Sequence, residues 1–233
     1  MLKQHFDKEN PHHAYLIEGN REDILPQVLE FAEILGLQKN SPDLCHILMD
    51  NFKIDDAFAL KKMSGEMSTT DGKKVFIVSA NQFSPDAQNT MLKMFEEPIF
   101  NTHFFMIVPD IDALFKTLIS RFYVIKNEGN NEIEIKLAEK FIAMPVQSRI
   151  NYIKEFLVEP EDEIVEDSIR SKALKFLNML ELVLHKKVST KLFNKNTTQA
   201  FEQIFKARKF IRQPGSASKT LLESVALSIP EKI

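Results

Sequence analysis

A short apolar run, Ala14–Glu18 (AYLIE), is followed by Gly19 and a helix-like stretch, the order in which many proteins cradle a nucleotide phosphate. A phosphate loop needs glycines so that backbone N–H groups can close around the anion, then a lysine for the β- and γ-phosphates and a Ser/Thr for magnesium. Here the residues run Gly19-Asn20-Arg21-Glu22-Asp23-Ile24-Leu25-Pro26, with one glycine, no Gly-Lys-Ser/Thr and two carboxylates where a polyanion would sit. Like charges at contact distance oppose binding. An ATPase also needs an acidic pair at the end of a buried strand, one acid for magnesium and one for the attacking water. The candidate strand ends Val75-Phe76-Ile77-Val78-Ser79-Ala80-Asn81 and carries no acid. Both halves of the machinery are missing, so an ordinary strand-to-helix turn and no bound cofactor are expected. A divergent NTPase with an unconventional site near Gly19 and Arg21 is the enzymatic alternative.

Other reactive constellations are thin. His12-His13 precedes the first strand without the spacing of a metal motif, and no metal site is expected. Cys45 lies inside an apolar run, where a thiol behaves as a small hydrophobe. A lone cysteine also excludes a disulfide framework and a four-cysteine zinc module. The basic pairs Lys61-Lys62, Lys73-Lys74 and Lys186-Lys187 read as solvated faces; the cluster Lys206, Arg208, Lys209 and Arg212, on a helix, could meet phosphates or an acidic partner. One helix, opened by Ser84-Pro85-Asp86, ends in Glu96-Glu97-Pro98. Carboxylates in a last turn oppose the helix dipole at about 0.3–1 kcal/mol each. A local rule broken without visible compensation marks Glu96 and Glu97 as a candidate interface.

The elements that would position these residues follow from periodicity. Ala14–Glu18, Cys45–Met49, Val75–Val78, Phe104–Val108 and Phe122–Ile125 have the length and apolar content of strands covered on both faces. Helical spacing is visible over Ile24–Leu35, from Ser84, and over Asp112–Ile119. Strands alternating with helices predict an α/β domain with a parallel sheet over residues 1–127. A polar break, Glu128-Gly129-Asn130-Asn131, precedes two short helices, Ile133–Phe141 and Arg149–Leu157. The acidic stretch Glu159-Pro160-Glu161-Asp162-Glu163 reads as a hinge. Three helices follow: Ile169–Leu184 with Leu177, Leu180 and Leu184 in one stripe, Thr198–Ile211 with Phe201, Ile204, Phe205 and Ile211, and Ser218–Leu227. In 233 residues the net charge is −3, which excludes a generally basic nucleic-acid coat but not a local patch. No apolar run approaches the ~20 residues of a membrane span and no signal-type segment opens the chain, so a cytoplasmic protein is expected.

The string Gln88-Asn89-Thr90-Met91-Leu92-Lys93-Met94-Phe95-Glu96-Glu97-Pro98, with Asn101-Thr102 and Phe104–Val108 after it, resembles the N-x-L-L-K-x-L-E-E-P segment of AAA+ clamp-loader subunits. Thr117-Leu118-Ile119-Ser120-Arg121-Phe122 is similar to that family's Ser-Arg-Cys motif, with phenylalanine in place of cysteine. His13-Ala14-Tyr15-Leu16 is similar to the opening of its first strand, and Ala207–Ile211 with Leu221–Leu227 to the helices of its oligomerising collar. The resemblance runs along nearly the whole chain, strongest over Val75–Arg121 and only compositional between Glu128 and Asp167. It implies an AAA+-like sheet domain (1–127), a helical lid (128–165) and a helical collar (166–233), without the zinc module common in such subunits. It also implies a noncatalytic subunit in a hetero-oligomer with gamma/tau-type ATPase and delta-type subunits, reaching the sliding clamp and primer-template DNA through the complex. Arg121 would then reach the nucleotide of a neighbouring ATPase as an arginine finger, with Ser120 positioning it. The residues themselves leave a second reading open, in which Arg121 caps its own helix end or pairs with a surface acid. A free-standing scaffold or DNA-binding adaptor is a further alternative to the clamp-loader role.

Overall fold

The computed structural model describes residues 2–66, 68, 72–126, 132–158, 168–189, 195–213 and 215–231. The polar break at 128–131 and the acidic hinge at 159–163 lie outside them. Contacts divide the chain into two compact units, Met1–Gly129 and Asn130–Ile233.

In the first unit the strands β1 (Ala14–Glu18), β2 (Leu44–Phe52), β3 (Lys74–Phe83), β4 (Thr102–Val108) and β5 (Tyr123–Lys126) form a parallel sheet in the order β2-β3-β4-β1-β5. The central strands carry near-continuous apolar runs because both faces are covered. Ala14, Leu16, Phe76, Val78, Phe104 and Met106 meet α2 (Ile54–Gly65) and α3 (Pro85–Glu96) on one side. Tyr15, Ile17, Val75, Ile77, Phe105 and Ile107 meet α1 (Arg21–Ile34) on the other. The period of two along each strand sorts the residues between the two cores. This is the α/β class expected from the sequence, a parallel sheet covered by helices and followed by a region that is helical in its described residues.

Local rules account for the starts of α2 and α3. Ser84 accepts the Ala87 N–H at 3.2 Å and Pro85 opens α3, as the sequence predicts. Helix α2 was not foreseen. It buries only Ala57, Leu60 and Ser64, too narrow a stripe to read from periodicity, and its entry is held by the Lys53 N–H donating to Asp56 at 2.7 Å. The helix expected over Asp112–Ile119 is broken. A 3-10 turn at Ile111–Ala113 is followed by extended Leu114 and Phe115, and only Lys116–Ile119 is α-helical (α4). The break turns Leu114 into the core, while buried Gln88 of α3 accepts the Phe115 N–H at 2.7 Å. Lys74 also departs from expectation: it is buried, and its ammonium caps α2 by donating to the Met63 and Glu66 carbonyls at 2.9 and 2.8 Å.

The second unit is helical in its described residues: α5 (Glu132–Ala143), α6 (Val146–Phe156), α7 (Ile169–Ser189), α8 (Lys195–Ile211) and α9 (Ser218–Ser228). Phe141, Ile153, Leu177, Leu180, Leu184, Ile204, Ile211, Leu222 and Val225 share an apolar cluster drawn from all of these helices. The leucine stripe of α7 falls where periodicity places it. Phe205, assigned by spacing to the buried face of α8, is instead exposed. Arg149 of α6 lies inside this cluster's polar seam, its guanidinium donating to carbonyls at the C-terminal ends of α5 and α9.

Candidate functional site

In open α/β sheets a ligand sits beyond the carboxyl ends of the strands, where the strand order reverses. That place is the end of β1, flanked by β4 and β5. Only Gly19 and Asn20 separate β1 from α1. Gly19 has φ 146°, a value that side chains rarely tolerate, and its N–H donates to the Val108 carbonyl at 2.9 Å. The Asn20 carbonyl accepts the Asp23 and Ile24 N–H groups, both at 3.2 Å. The Glu18 carboxylate accepts the Ile111 N–H at 3.1 Å and lies 4.0 Å from the Lys126 ammonium. Three strand ends therefore converge on an anion the chain supplies itself, and the Gly19 amide faces β4 rather than the crevice. On β3, Val78 and Ser79 are buried level with Leu16 and Ile17 and offer no carboxylate to a metal.

A second constellation lies where α3 ends and α4 meets β5. Ser120 caps α4: its N–H donates to the Lys116 carbonyl and its hydroxyl to the Thr117 carbonyl, both at 3.0 Å. The Arg121 guanidinium donates from Nη1 to the same Thr117 carbonyl and from Nη2 to the Glu96 carboxylate. Both local roles left open for Arg121 are thus visible together, a helix-end cap and an ion pair. The Arg121 side chain remains 24% exposed and that of Glu96 49%. The acid that opposes the α3 dipole is thereby matched by a cation brought from 25 residues away. Glu97, the C-cap of α3, is exposed and donates its N–H to the Lys93 carbonyl at 3.3 Å.

Behind the ion pair, Phe95 and Phe122 are buried with ring centroids 4.5 Å apart. Phenylalanine after the Ser-Arg pair thus serves as a packing anchor. Gln88 clamps the other end of α4, since its amide also donates to the Phe83 carbonyl at 3.0 Å. Gln88, Phe95 and Phe122 position the site, and sequence reasoning gave them no role. Their signal was the seven-residue interval between Gln88 and Phe95, which puts both on the buried face of α3.

The remaining candidates are dispersed. On α8, Arg208 pairs with Glu181 of α7 and lies 5.8 Å from the Phe205 ring centroid, while Lys206 and Lys209 are exposed and Arg212 is half-buried. Spacing of three places Lys206 and Lys209 side by side on the helix surface. His12 is used locally: its ring nitrogen lies 2.7 Å from the Ala14 carbonyl and its carbonyl 3.0 Å from the His103 ring. Burial pushes His13 and His103 below the usual imidazole range, reinforced by the charge of His12 at His13 and of Lys73 at His103. Burial also raises the Cys45 thiol. Among the described residues no group of His, Cys, Asp or Glu could hold a metal ion, and no helix is long and apolar enough to cross a membrane.

Residues 33–131 match the family described as DNA polymerase III, delta subunit. The match spans less than half of the chain. It contains both α3 with its Glu-Glu-Pro end and the Ser120-Arg121 pair. In structure the chain is similar to a DNA polymerase III gamma subunit-related protein from Thermotoga maritima, with 13% identity, a TM-score of 0.49 and 93% of each chain covered. No curated protein matches the chain in sequence.

Proposed function

We propose that the chain is a delta-prime-like subunit of a bacterial DNA polymerase III clamp loader. It hydrolyses no nucleotide itself and lends Arg121 to the ATP bound on a neighbouring gamma/tau-type subunit. The observation that carries this reading is the turn after β1: it is two residues long, its Gly19 amide is given to the Val108 carbonyl and the Glu18 carboxylate beside it to the Ile111 N–H. The family match over residues 33–131 supports the clamp-loader context. Arginine suits the transferred role because its guanidinium stays charged and its fork of N–H donors fits phosphate oxygens. Supplied in trans, it neutralises charge developing on the γ-phosphate. Ser120 keeps α4 capped so that the backbone carrying Arg121 is fixed.

The functional division of the chain follows the same reading. Residues 1–127 act as a stator built on the AAA+-like sheet, 128–165 as a lid and 166–233 as a collar that joins delta-type and gamma/tau-type subunits. The sliding clamp and primer-template DNA are reached through that cytoplasmic complex, with Lys206 and Lys209 as the exposed basic pair nearest to such a contact. Glu96 and Glu97 lie on the face turned to the neighbouring ATPase.

Reconstitution with gamma-type and delta-type subunits tests this. The chain should co-purify with them, and titration calorimetry should detect no micromolar binding of magnesium-ATP to the isolated chain. Arg121→Ala should lower the DNA-stimulated ATPase of the complex by about tenfold or more. A fully active Arg121→Ala complex would remove the finger, and micromolar ATP binding by the chain alone would revive the enzymatic alternative.

A further inference from the structure

Arg121 is held from two sides of unequal character. Thr117, four residues back in α4, supplies a main-chain carbonyl that moves only with the backbone. Glu96 supplies a half-exposed carboxylate on a side chain that can swing away. The buried Phe95–Phe122 contact and the Gln88 bridge to Phe115 fix the two backbones, leaving the carboxylate as the exchangeable partner. The Arg121 Nε is buried without a hydrogen-bond partner, so the guanidinium is not saturated in this position.

Resting on the trans role of Arg121 given above, we propose that Glu96 is a positioning residue that parks the guanidinium. The γ-phosphate of the nucleotide on the neighbouring subunit is then the anion that takes its place. An exposed ion pair biases a side chain by less than about fivefold. A triphosphate brings more charge and three oxygens that fit the guanidinium fork, so the exchange runs toward phosphate once the neighbour docks. Without the neighbour, Glu96 keeps the guanidinium beside Thr117, a hold that must be released before the phosphate is engaged. The same pairing accounts for a carboxylate in the last turn of α3, where by itself it is unfavourable.

The test is the steady-state ATPase of the reconstituted complex carrying Glu96→Gln, Arg121→Ala or both, with KM for ATP and kcat measured separately and primed DNA present. Glutamine retains the shape of the side chain and removes the competing charge. Glu96→Gln should lower KM by about two- to fivefold, the range an exposed pair allows, and leave kcat within about twofold. In the Arg121→Ala background the same substitution should change nothing. A purely structural role for Glu96 would move the melting temperature without splitting KM from kcat. The inference is overturned if Glu96→Gln loses kcat as Arg121→Ala does, which would make the carboxylate part of the engaged geometry, or if KM and kcat both stay unchanged. An Arg121→Ala complex with undiminished ATPase overturns the trans role first, and this inference with it.

Discussion

Arg149 offers the sharpest test of how the helical unit is held together. Its side chain is fully buried, and the guanidinium donates to five main-chain carbonyls. Nε reaches Phe141 at 3.2 Å, Nη1 reaches Ala226 and Ile229 at 3.2 and 2.5 Å, and Nη2 reaches Ile142 and Pro230 at 2.6 and 3.3 Å. The last carbonyls of a helix have no partner within it and form the negative end of its dipole. One cation thus serves the ends of α5 and α9 at once. Burial pushes this guanidinium below its ordinary value and the Glu231 carboxylate pulls it back up, so it stays charged at neutral pH. Hydrogen bonds to a charged group contribute about 1.5–3 kcal/mol each, but they are not additive and the desolvation of the cation offsets part of them. Arg149→Ala should therefore cost about 3–5 kcal/mol, the usual range for breaking a buried charged network. That is a large share of the ~5–15 kcal/mol that stabilises an average domain. Arg149→Met keeps bulk without donors and should fall within about 1 kcal/mol of the alanine variant, since the unmet carbonyls set the cost. Arg149→Lys keeps the charge and three donors but loses the planar fork, and should lie between. Urea unfolding followed by far-UV circular dichroism measures all three. A methionine variant as stable as the parent would refute the idea that donor count governs this site.

Acid should destabilise the sheet unit through three histidines. Burial lowers His13, His46 and His103 from the reference value of 6.5, so below pH 6.5 the unfolded chain takes up protons that the folded chain resists. Their contribution is fully present above pH 6.5 and is lost as pH falls toward their depressed folded values; thermal melts from pH 7.5 to 5 should show a falling melting temperature, and His103→Gln should flatten the slope. An unaltered slope in that variant would remove His103 from the account. Gln88→Ala deletes the acceptor of the Phe115 N–H and the donor to Phe83, which should cost about 1–3 kcal/mol. Hydrogen exchange at the Phe115 amide should speed up in that variant, and unchanged protection would show that Gln88 does not hold the start of α4.

The central strands were legible because each holds a short apolar run, a pattern that fits a sheet covered on both faces, whereas the edge strand β5 exposes Tyr123 and Val124 and starts one residue after its run. Helix α3 was legible for a different reason, the cap-and-proline start at Ser84-Pro85. What escaped depends on partners distant in sequence. Helix α2 gains its place from three buried residues, one of them Ser64 against Met94 of α3, and the interruption at Leu114 and Phe115 from a glutamine 27 residues earlier. Glu96 was visible as an anomaly but its cation was not, since nothing local pairs positions 96 and 121. Phe205 was misplaced because helical spacing ranks residues by face without saying how wide the buried stripe is. Lys74 looked like half of a solvated pair, yet its long stem lets it cross the core edge and cap a neighbouring helix.

The end of β1 and the guanidinium at the α4–β5 junction are joined through the sheet. A strand end that still had to close around phosphate would need free amides and a long, glycine-rich turn, both of which cost conformational entropy on folding. Spending the Gly19 amide on β4 and the Glu18 carboxylate on Ile111 and Lys126 removes that demand and ties β1, β4 and β5 at the same end of the sheet. Strand β5 is the edge strand that leads out of Arg121, so tying it to β1 stiffens the segment from which the guanidinium projects. Grafting a lysine at Arg21 would not reopen the crevice, because the amide and the carboxylate would still be committed. On the proposed reading, these bonds at the end of β1 also give a firmer base to the segment that carries Arg121.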